Sequence, residues 1–284
     1  MSSENEFLKS DIADTAFITN YYRSLDEELS RDPWAKLWVT DKARELGDSF
    51  AKEAVPHDYV NIQLRYRYFL EQLEIFQREV GEFCFLNIGA GFTTYPYQEF
   101  MVNHAISIEI DQPQVVSFKE RTSLAYQKEG KLPNHKDLYY LGVNFEKDNY
   151  TDHLEKLLKD LKATNRPQFI LMEGFFYYLS ESVSNDLWKY LLSQLPEKSR
   201  IGMIYLPPET KDTTALQKTR DFLSRRCGYE SDGIVYHPRS YFQSDILEEL
   251  DHSDHVENEK RYLKTNHCTN DNTFNEAFLI MKKI

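Results

Sequence analysis

The residues best suited to chemistry lie between Phe83 and Asp111. A short apolar run there ends at Gly89-Ala90-Gly91, and a second run ends at Glu109 and Asp111. Paired glycines let a backbone turn sharply and approach a ligand, because no Cβ stands in the way. A carboxylate about 20 residues after the first glycine can accept hydrogen bonds from ribose hydroxyls. This spacing predicts a strand, a glycine turn and a second strand that together bind a nucleoside.

The glycine turn departs from the dinucleotide fingerprint, in which a third glycine lets a helix pack closely under a pyrophosphate. Thr94 stands at that third position. A ligand with a ribose but no pyrophosphate fits better, and S-adenosylmethionine (SAM) is the common cofactor of that kind. Two glycines after a strand are also frequently a plain tight turn, so the rest of the chain has to decide between these interpretations.

Strands and helices alternate along the middle of the chain. The predicted strands are Phe83–Ile88, Ala105–Ile110, Leu138–Val143, Gln168–Met172 and Arg200–Leu206, with helices at Gln112–Gly130, Tyr150–Ala163 and Val183–Leu195. This rhythm predicts an α/β fold with a Rossmann-like, doubly wound, mostly parallel sheet. Ligands of such sheets bind outside the carboxyl ends of the strands. Asn144 and Glu173, which each follow a predicted strand, therefore join Asp111 as candidate site residues.

Further elements are predicted before and after this alternating region. Residues 1–80 are predicted to be a helical cap, and residues 81–284 a SAM-binding domain. The predicted cap helices are Asp14–Leu29, Pro33–Leu46 and Asn61–Val80. In the tail, the predicted helices are Thr213–Arg226 and Ser240–Leu250, and the predicted strands are Lys260–Thr265 and Asn275–Met281. The last strand is predicted as an antiparallel addition at the sheet edge, which brings the sheet to seven strands.

Composition excludes several classes of function. The 284 residues include 46 Asp and Glu against 34 Lys and Arg, a formal charge of -12, which disfavours a nucleic-acid or anionic-membrane partner.

The three cysteines form no C-x-x-C pair, and the acidic stretch from His252 to His255 has no further ligand cluster, so we predict no metal site and interpret that stretch as a solvated loop. Met1–Lys9 lacks an apolar signal segment, and no run of about 18 apolar residues occurs, so we expect a cytoplasmic protein without a membrane span.

Six separated motifs resemble those of the leucine carboxyl methyltransferase family, which includes the polyketide O-methyltransferases of the TcmP type. In chain order they are Thr15-Ala16 with Arg23; Asp32-Pro33-Trp34-Ala35; Arg65-Tyr66-Arg67-Tyr68-Phe69; Leu86-Asn87-Ile88-Gly89-Ala90-Gly91; Glu109-Ile110-Asp111-Gln112-Pro113 with Val115 and Lys119; and Glu173-Gly174-Phe175-Phe176-Tyr177-Tyr178-Leu179. The resemblance spans residues 14–206 and implies a class I SAM-dependent methyltransferase whose N-terminal helices cap the cofactor.

The resemblance also implies how the cofactor is held. Gly89 and Gly91 would lie under the methionine part of SAM. Asp111, with Glu109 nearby, would hold the ribose, and Asn144 would stand near the adenine. These roles combine the glycine turn with acids at the ends of neighbouring strands.

Four further residues receive roles from the same resemblance. Glu173 would approach the methionine amino group, while Arg23 and Arg65 would be available for the carboxylate of the cofactor or of the substrate. Arg65 and Tyr177 would position the acceptor, with no catalytic residue assigned beyond them. A carboxylate acceptor, with a reference pKa of about 4, is ionised at pH 7 and needs no general base. We therefore expect O-methylation of a carboxylate on a small molecule or a peptide C-terminus.

The chain departs from the family pattern after the glycine turn. Thr93, Tyr95 and Gln98 stand where the family usually has an aspartate and two arginines, and Asn144 stands where an aspartate is usual. These changes leave open an altered substrate, weakened cofactor binding or lost activity. A non-catalytic SAM-fold protein that acts through a protein partner is therefore an alternative, and an NAD-type oxidoreductase is a second one. The oligomeric state is not indicated by the sequence.

Overall fold

The computed structural model describes residues 11–163, 165–227 and 233–284. The segment Met1–Lys9, on which the expected absence of a signal peptide rests, lies outside these ranges. The strands are β1 (Phe83–Ile88), β2 (Ala105–Asp111), β3 (Leu138–Gly142), β4 (Gln168–Met172), β5 (Arg200–Tyr205), β6 (Leu247–Asp254) and β7 (Ala277–Lys283). The helices are α1 (Asp11–Ser24), α2 (Glu27–Ser30), α3 (Asp41–Glu53), α4 (Asp58–Val80), α5 (Glu99–His104), α6 (Pro113–Lys128), α7 (Tyr150–Asp160), α8 (Glu181–Gln194), α9 (Thr214–Cys227) and α10 (His255–Leu263).

The seven strands form one sheet in the order β3-β2-β1-β4-β5-β7-β6. Strands β1 to β5 are parallel, and β7 is antiparallel to both of its neighbours, β5 and β6. The order of connection reverses between β1 and β4, which opens a crevice at the carboxyl ends of these strands. The predicted Rossmann-like fold with seven strands and an antiparallel C-terminal strand is confirmed. The edge position itself belongs to β6, because β7 inserts between β5 and β6.

Both faces of the sheet are covered by helices. The strands alternate their side chains between the two faces. Leu86 of β1 therefore belongs to the same apolar cluster as Leu154 of α7 and Leu187 of α8, while the neighbouring Phe85 belongs to another cluster with Phe69 of α4. Each fully buried large apolar side chain contributes about 1.5–3 kcal/mol relative to an exposed one. This two-sided burial explains why β1 consists of six consecutive buried residues, FCFLNI.

Helices α1 and α3 join α9 in a third apolar cluster beside the sheet. In this cluster the rings of Phe50 on α3 and Phe222 on α9 meet edge to face, with centroids 5.1 Å apart. The predicted helix at Pro33–Leu46 is instead a 3₁₀ turn followed by α3, because Thr40 caps α3 by accepting the Ala43 N–H at 3.0 Å. Among the described residues, no helix combines the length and the apolar character that crossing a bilayer requires.

Two predictions for the tail are wrong. The predicted helix Ser240–Leu250 is a 3₁₀ turn followed by the start of β6, and the predicted strand Lys260–Thr265 lies mostly in α10. An edge strand pairs on one side only and tolerates charged side chains, so β6, with the sequence LEELDHSD, shows no apolar run. Helix α10 begins at a capping box in which Asp254 and Glu257 accept each other's backbone N–H groups at 2.8 and 3.2 Å.

The interpretation of His252 to His255 as a solvated loop is also wrong. This stretch ends β6 and begins α10. The His255 side chain is buried, and its Nε2 lies 2.9 Å from a carboxylate oxygen of Glu276. The histidine is therefore part of the interior of the protein, next to the site described below.

Candidate active site

A cavity opens at the carboxyl ends of β1, β2 and β4, at the point where the strand order reverses. The glycine turn after β1 forms its floor, and Asp111 and Glu173 stand at the ends of β2 and β4. Helix α1 contributes Arg23 and helix α4 contributes Arg65 to the wall of the cavity. Seven of the eight residues predicted to bind a cofactor line this cavity, and they are Arg23, Arg65, Gly89, Gly91, Asp111, Asn144 and Glu173. Tyr177, predicted to position the acceptor, lines it as well.

The glycine turn has a backbone conformation that favours glycine. Gly89 and Gly91 have φ angles of +72° and +45°. The Gly89 N–H donates to the Ile110 carbonyl oxygen at 2.8 Å, which ties the turn to the end of β2. A Cβ on Gly89 would lie 2.5 Å from the Phe175 Cβ, closer than real Cβ atoms approach. The turn therefore needs glycine for both its dihedral angle and its close contact.

Replacing Gly89 by alanine is expected to lower the free energy of unfolding by about 2–6 kcal/mol, because a left-handed non-glycine residue and a steric overlap each cost about 1–3 kcal/mol. Gly130 is the matched control, since its φ is +70° and an added Cβ would meet nothing within 4 Å. Gly130→Ala should cost only about 1 kcal/mol, from the dihedral angle alone. Urea unfolding of both variants measures the difference, and equal losses would contradict the close contact at Gly89.

Asp111 ends β2 with its carboxylate at the lip of the cavity. One carboxylate oxygen accepts the Gly91 N–H at 2.7 Å, and the other accepts the Gln112 N–H at 2.7 Å. Burial raises the pKa of Asp111, and these two N–H groups oppose the rise. A carboxylate has about four lone-pair sites, so two bonds leave acceptor capacity for a ligand hydroxyl.

Glu109, predicted beside Asp111 in the ribose site, does not line the cavity. It is fully buried beneath the turn, where one carboxylate oxygen lies 2.6 Å from Lys119 Nζ. Lys119 Nζ also donates to the Thr93 carbonyl oxygen at 2.7 Å. The physical reason is register: Glu109 pairs with Asn87 inside the sheet, one step before the last pair between β1 and β2, which joins Ile88 and Ile110. Glu109 and Lys119 therefore hold the turn from below.

Arg65 stands at the centre of a buried chain of charged and polar groups. Its guanidinium lies 2.9 Å from Glu173 and 3.0 Å from Glu276, and all three side chains are at most 7% exposed. Glu173 accepts the Tyr95 hydroxyl at 2.6 Å, and Glu276 accepts the Tyr177 hydroxyl at 2.6 Å. Burial alone would raise the pKa of Glu276, but Arg65, together with the other partners of this carboxylate, lowers it to about 2. Arg65, Glu173 and Glu276 thus form one buried ion-pair cluster.

The sequence pattern missed Tyr95 and Glu276 as members of this cluster. Glu276 lies 211 positions from Arg65, in the turn before β7, and no motif marks it. Tyr95 had a signal, since it stands where the family usually has an arginine. Its hydroxyl bonds to the strand-end acid and its ring stacks on Tyr66, with centroids 4.2 Å apart. Tyr95, which departs from the family pattern, therefore has a hydrogen-bond partner in the interior.

Arg23 connects α1 to the glycine turn. Its guanidinium lies 2.9 Å from Asp32 and donates to the Phe92 carbonyl oxygen at 2.8 Å. The Asp32 carboxylate also accepts the Thr94 hydroxyl, so Thr94 points into the protein and not towards a ligand. These contacts link α1 to the segment that follows the glycine turn.

Asn144 follows β3 on the far side of the cavity. Its side-chain oxygen accepts the Glu146 N–H at 3.1 Å. Within the described ranges, its side-chain amide nitrogen makes no hydrogen bond and is the atom left for a ligand. The cavity therefore runs from Asn144, past Asp111 and the glycine turn, to Glu173 and Arg65.

Comparison with known proteins identifies the family of this chain. The model of the leucine carboxyl methyltransferase family matches residues 14–191. The chain belongs to the leucine carboxyl methyltransferase family. The resemblance predicted from the six motifs is thus confirmed. The matched segment of this family member contains the glycine turn, Asp111 and Glu173, whereas Glu276 and β7 lie beyond it.

Two solved structures share the fold of this family member. A DUF574 family protein from Streptomyces avermitilis is similar with a TM-score of 0.64 and 15% identity, over 95% of this chain and 97% of that chain. A candidate methyltransferase from Thermobifida fusca is similar with a TM-score of 0.63 and 17% identity, over 86% of this chain and 89% of that chain. A search of curated proteins found no match. At these identities the likeness establishes the fold alone.

Proposed function

We propose that the protein is a SAM-dependent O-methyltransferase and that the cavity at the strand ends holds the cofactor. The observation that carries the proposal is the carboxylate of Asp111 at the end of β2, which accepts the Gly91 N–H of the glycine turn at 2.7 Å. The chain that presents this arrangement belongs to the leucine carboxyl methyltransferase family. A nucleoside needs this combination of a close backbone approach and a hydroxyl acceptor. SAM would supply an electrophilic methyl group on a sulfonium.

The cavity residues fit this cofactor along its length. Asp111 would accept the ribose hydroxyls with its free lone pairs, and the Asn144 amide would face the adenine. Gly89 and Gly91 would leave room for the methionine part. Glu173 would accept the methionine ammonium while keeping its bond to Arg65. Arg23 and Arg65 would be the cations nearest the methionine carboxylate.

The rival cofactor, NAD, fits the turn less well. A dinucleotide places its pyrophosphate at the N-terminus of a helix that starts at the glycine turn. Here a 3₁₀ turn, Tyr95–Tyr97, follows the glycines, and the next helix, α5, has only six residues. Thr94, at the position of the third glycine, is fully buried. These observations support SAM over a dinucleotide.

The three residues that depart from the family pattern after the glycine turn all make hydrogen bonds within the protein. Thr93 accepts the Asn87 side-chain amide at 2.8 Å, Tyr95 bonds to Glu173, and Gln98 donates to the Arg31 carbonyl oxygen at 3.1 Å. Each replacement residue thus has an interior partner. This supports an intact binding site over the alternative of a decayed, non-catalytic one.

The residues around the cofactor would act by position and by excluding water. Residues 1–80 would form the cap over the cofactor-binding domain of residues 81–284, with α1 placing Arg23 on the cavity wall. Tyr177 would contact the acceptor, and Arg65, already engaged by Glu173 and Glu276, would shape the cavity wall beside it. The acceptor predicted from the sequence is a carboxylate of a small molecule or a peptide C-terminus, in the cytoplasm. A hydroxyl acceptor is the second candidate, favoured by the position of Asp58 described in the next subsection.

Asp111→Ala and Glu173→Ala are each expected to weaken binding of S-adenosylhomocysteine at least about tenfold, because a hydrogen bond to a charged group contributes about 1.5–3 kcal/mol. Glu99→Ala is the control, since Glu99 is an exposed acid on α5. Calorimetry should give a micromolar dissociation constant for the wild type and for the control. An absence of heat with the wild type would refute the proposed cofactor. Equal losses of affinity in all three variants would show that the cofactor does not bind in this cavity.

A further inference from the structure

A second cavity, of about 70 Å³, lies beside the first. The two share wall residues from α1, α4 and the segment after β4, namely Thr15, Thr19, Arg65, Tyr177 and Tyr178. The remaining wall is mostly apolar and comes from Ile18, Phe50, Ile62, Leu223 and Phe274. At roughly 15 Å³ for each water-sized group, the enclosed part has room for about five such groups, or most of one aromatic ring. A bound molecule could therefore reach from this cavity to the shared residues.

Asp58, the first residue of α4, is the acid in this second cavity. It is 8% exposed, and its carboxyl group makes no hydrogen bond with the residues that the structure describes. A mostly buried polar group without a protein partner needs an explanation, such as a catalytic role, a bound ligand or a water molecule. The Asp58 carboxyl is therefore free to accept a hydrogen bond from a molecule in the cavity.

The charges around Asp58 restrict what that molecule can be. The ionisable groups that face it are Arg65 on its own helix, Glu276 before β7, Tyr22 on α1, and Tyr177 and Tyr178 after β4. Arg65 is already held by Glu173 and Glu276 at 2.9 and 3.0 Å, so it is not free to bind an acceptor carboxylate. Asp58 itself repels a carboxylate, and the Arg65 guanidinium disfavours an ammonium group. A neutral hydroxyl on an apolar body is the group that this wall accommodates.

We propose that the second cavity is the acceptor pocket, that the acceptor is an alcohol or phenol with a small apolar body, and that Asp58 receives its hydroxyl proton. This inference rests on the proposed methyl transfer and replaces the carboxylate acceptor by a hydroxyl. The acceptor oxygen forms the new bond to the methyl carbon while the carbon–sulfur bond breaks and its electron pair stays on sulfur. The hydroxyl proton passes to the Asp58 carboxylate and leaves to solvent after the product departs.

The ionisation of Asp58 suits this role. Burial and the nearby Glu276 raise the pKa of Asp58 to about 7, although Arg65 opposes the rise. A base whose pKa lies near the operating pH balances being ionised against being able to take a proton. Above a pH of about 7 the carboxylate form of Asp58 predominates, and this is the form that accepts the hydroxyl hydrogen bond.

Binding of three single-ring probes tests the inference without knowledge of the natural acceptor. Protein saturated with S-adenosylhomocysteine is titrated with phenol, benzoate and benzylamine at pH 8, with affinities measured by ligand-observed NMR. We expect phenol to bind at least about tenfold more tightly than either charged probe. We also expect Asp58→Asn to reduce the preference for phenol over benzoate by at least about tenfold, because the repelling charge is gone. The wild-type affinity for benzoate should fall as pH rises from 5.5 to 8.5, and in Asp58→Asn this dependence should vanish.

Asp245→Asn, which removes an exposed carboxylate, is the matched control and should keep the wild-type preference. Asp58→Asn should still bind S-adenosylhomocysteine and unfold at or above the wild-type temperature, since the carboxyl has no partner to lose. The inference is overturned if phenol does not bind, if either charged probe binds as tightly, or if Asp58→Asn keeps the wild-type discrimination. Calorimetry with S-adenosylhomocysteine alone separates the two proposals. If S-adenosylhomocysteine does not bind, the cofactor site and the acceptor pocket are both refuted. If it binds but the protein does not prefer phenol to the charged probes, only the acceptor pocket is refuted.

Discussion

Arg65→Met is expected to lower the free energy of unfolding by about 3–5 kcal/mol, because removing one partner of a buried ion pair leaves the other charge uncompensated. Here two carboxylates, Glu173 and Glu276, lose the same guanidinium, and both are at most 2% exposed. Their hydroxyl partners, Tyr95 and Tyr177, donate hydrogen bonds but carry no positive charge. The loss therefore comes from buried negative charge and not from lost packing, since methionine keeps much of the apolar stem.

Arg67→Met, two residues further along α4, is the control for this experiment. Arg67 and Glu71 form a half-buried pair at 3.0 Å, one helical turn apart. Such pairs contribute about 0.3–0.5 kcal/mol, so its removal should cost less than about 1 kcal/mol. Urea unfolding at pH 7 compares the two variants. Similar losses from both would show that Arg65 is not the compensating charge of the cluster.

The deficit of Arg65→Met should also depend on pH. The pKa of Glu276 is about 2 in the folded wild type, below its ordinary value, so the stability that this ionised group contributes is present above about pH 4.5 and lost as pH falls towards 2. Without Arg65 the Glu276 carboxylate protonates at higher pH, and protonation removes its uncompensated charge. The difference between wild type and variant should therefore be smaller at pH 4 than at pH 7. A deficit that does not change over this range would argue for lost packing instead.

Lys119→Met is expected to cost about 3–5 kcal/mol by the same mechanism at a second position. Lys119 and Glu109 are 1% and 0% exposed, with 2.6 Å between their charged atoms. Burial lowers the pKa of Lys119 and raises the pKa of Glu109, and their mutual attraction opposes both changes. Removing the lysine leaves the buried Glu109 carboxylate without its ion-pair partner and the Thr93 carbonyl oxygen without this donor.

Lys131→Met is the control, because Lys131 pairs with Glu129 at 2.7 Å but both side chains are about half exposed. Its removal should change the free energy of unfolding far less than Lys119→Met does, because solvent screens an exposed ion pair. The double variant Glu109→Gln with Lys119→Met should recover part of the loss, since no charge is then left buried. If S-adenosylhomocysteine binding is measured on the same proteins, Lys119→Met should also bind more weakly, because the glycine turn loses its support from below. No recovery in the double variant would contradict the charge argument.

Asp58 illustrates a site residue that sequence reasoning passes over. An acid in the first turn of a helix is ordinary, because it complements the helix dipole. Its unusual features are burial, the missing partner and the neighbouring Glu276, and all three come from packing of α4 against distant segments. The same holds for Glu276, which reaches Arg65 only because β7 inserts beside β5.

The sequence alone determined the family, the five strands β1 to β5 with helices α6, α7 and α8 between them, and the turn that places Gly89, Asp111 and Glu173 around one cavity. These features are local, since alternating burial, glycine conformation and acids at strand ends are each written in a few consecutive residues. The roles of those residues towards a cofactor stay predictions. The tertiary structure decided that Glu109 lies under the turn, that Arg65 is already engaged by two carboxylates, and that LEELDHSD is an edge strand. Those outcomes depend on register and on contacts between segments far apart in the chain, which no short pattern records.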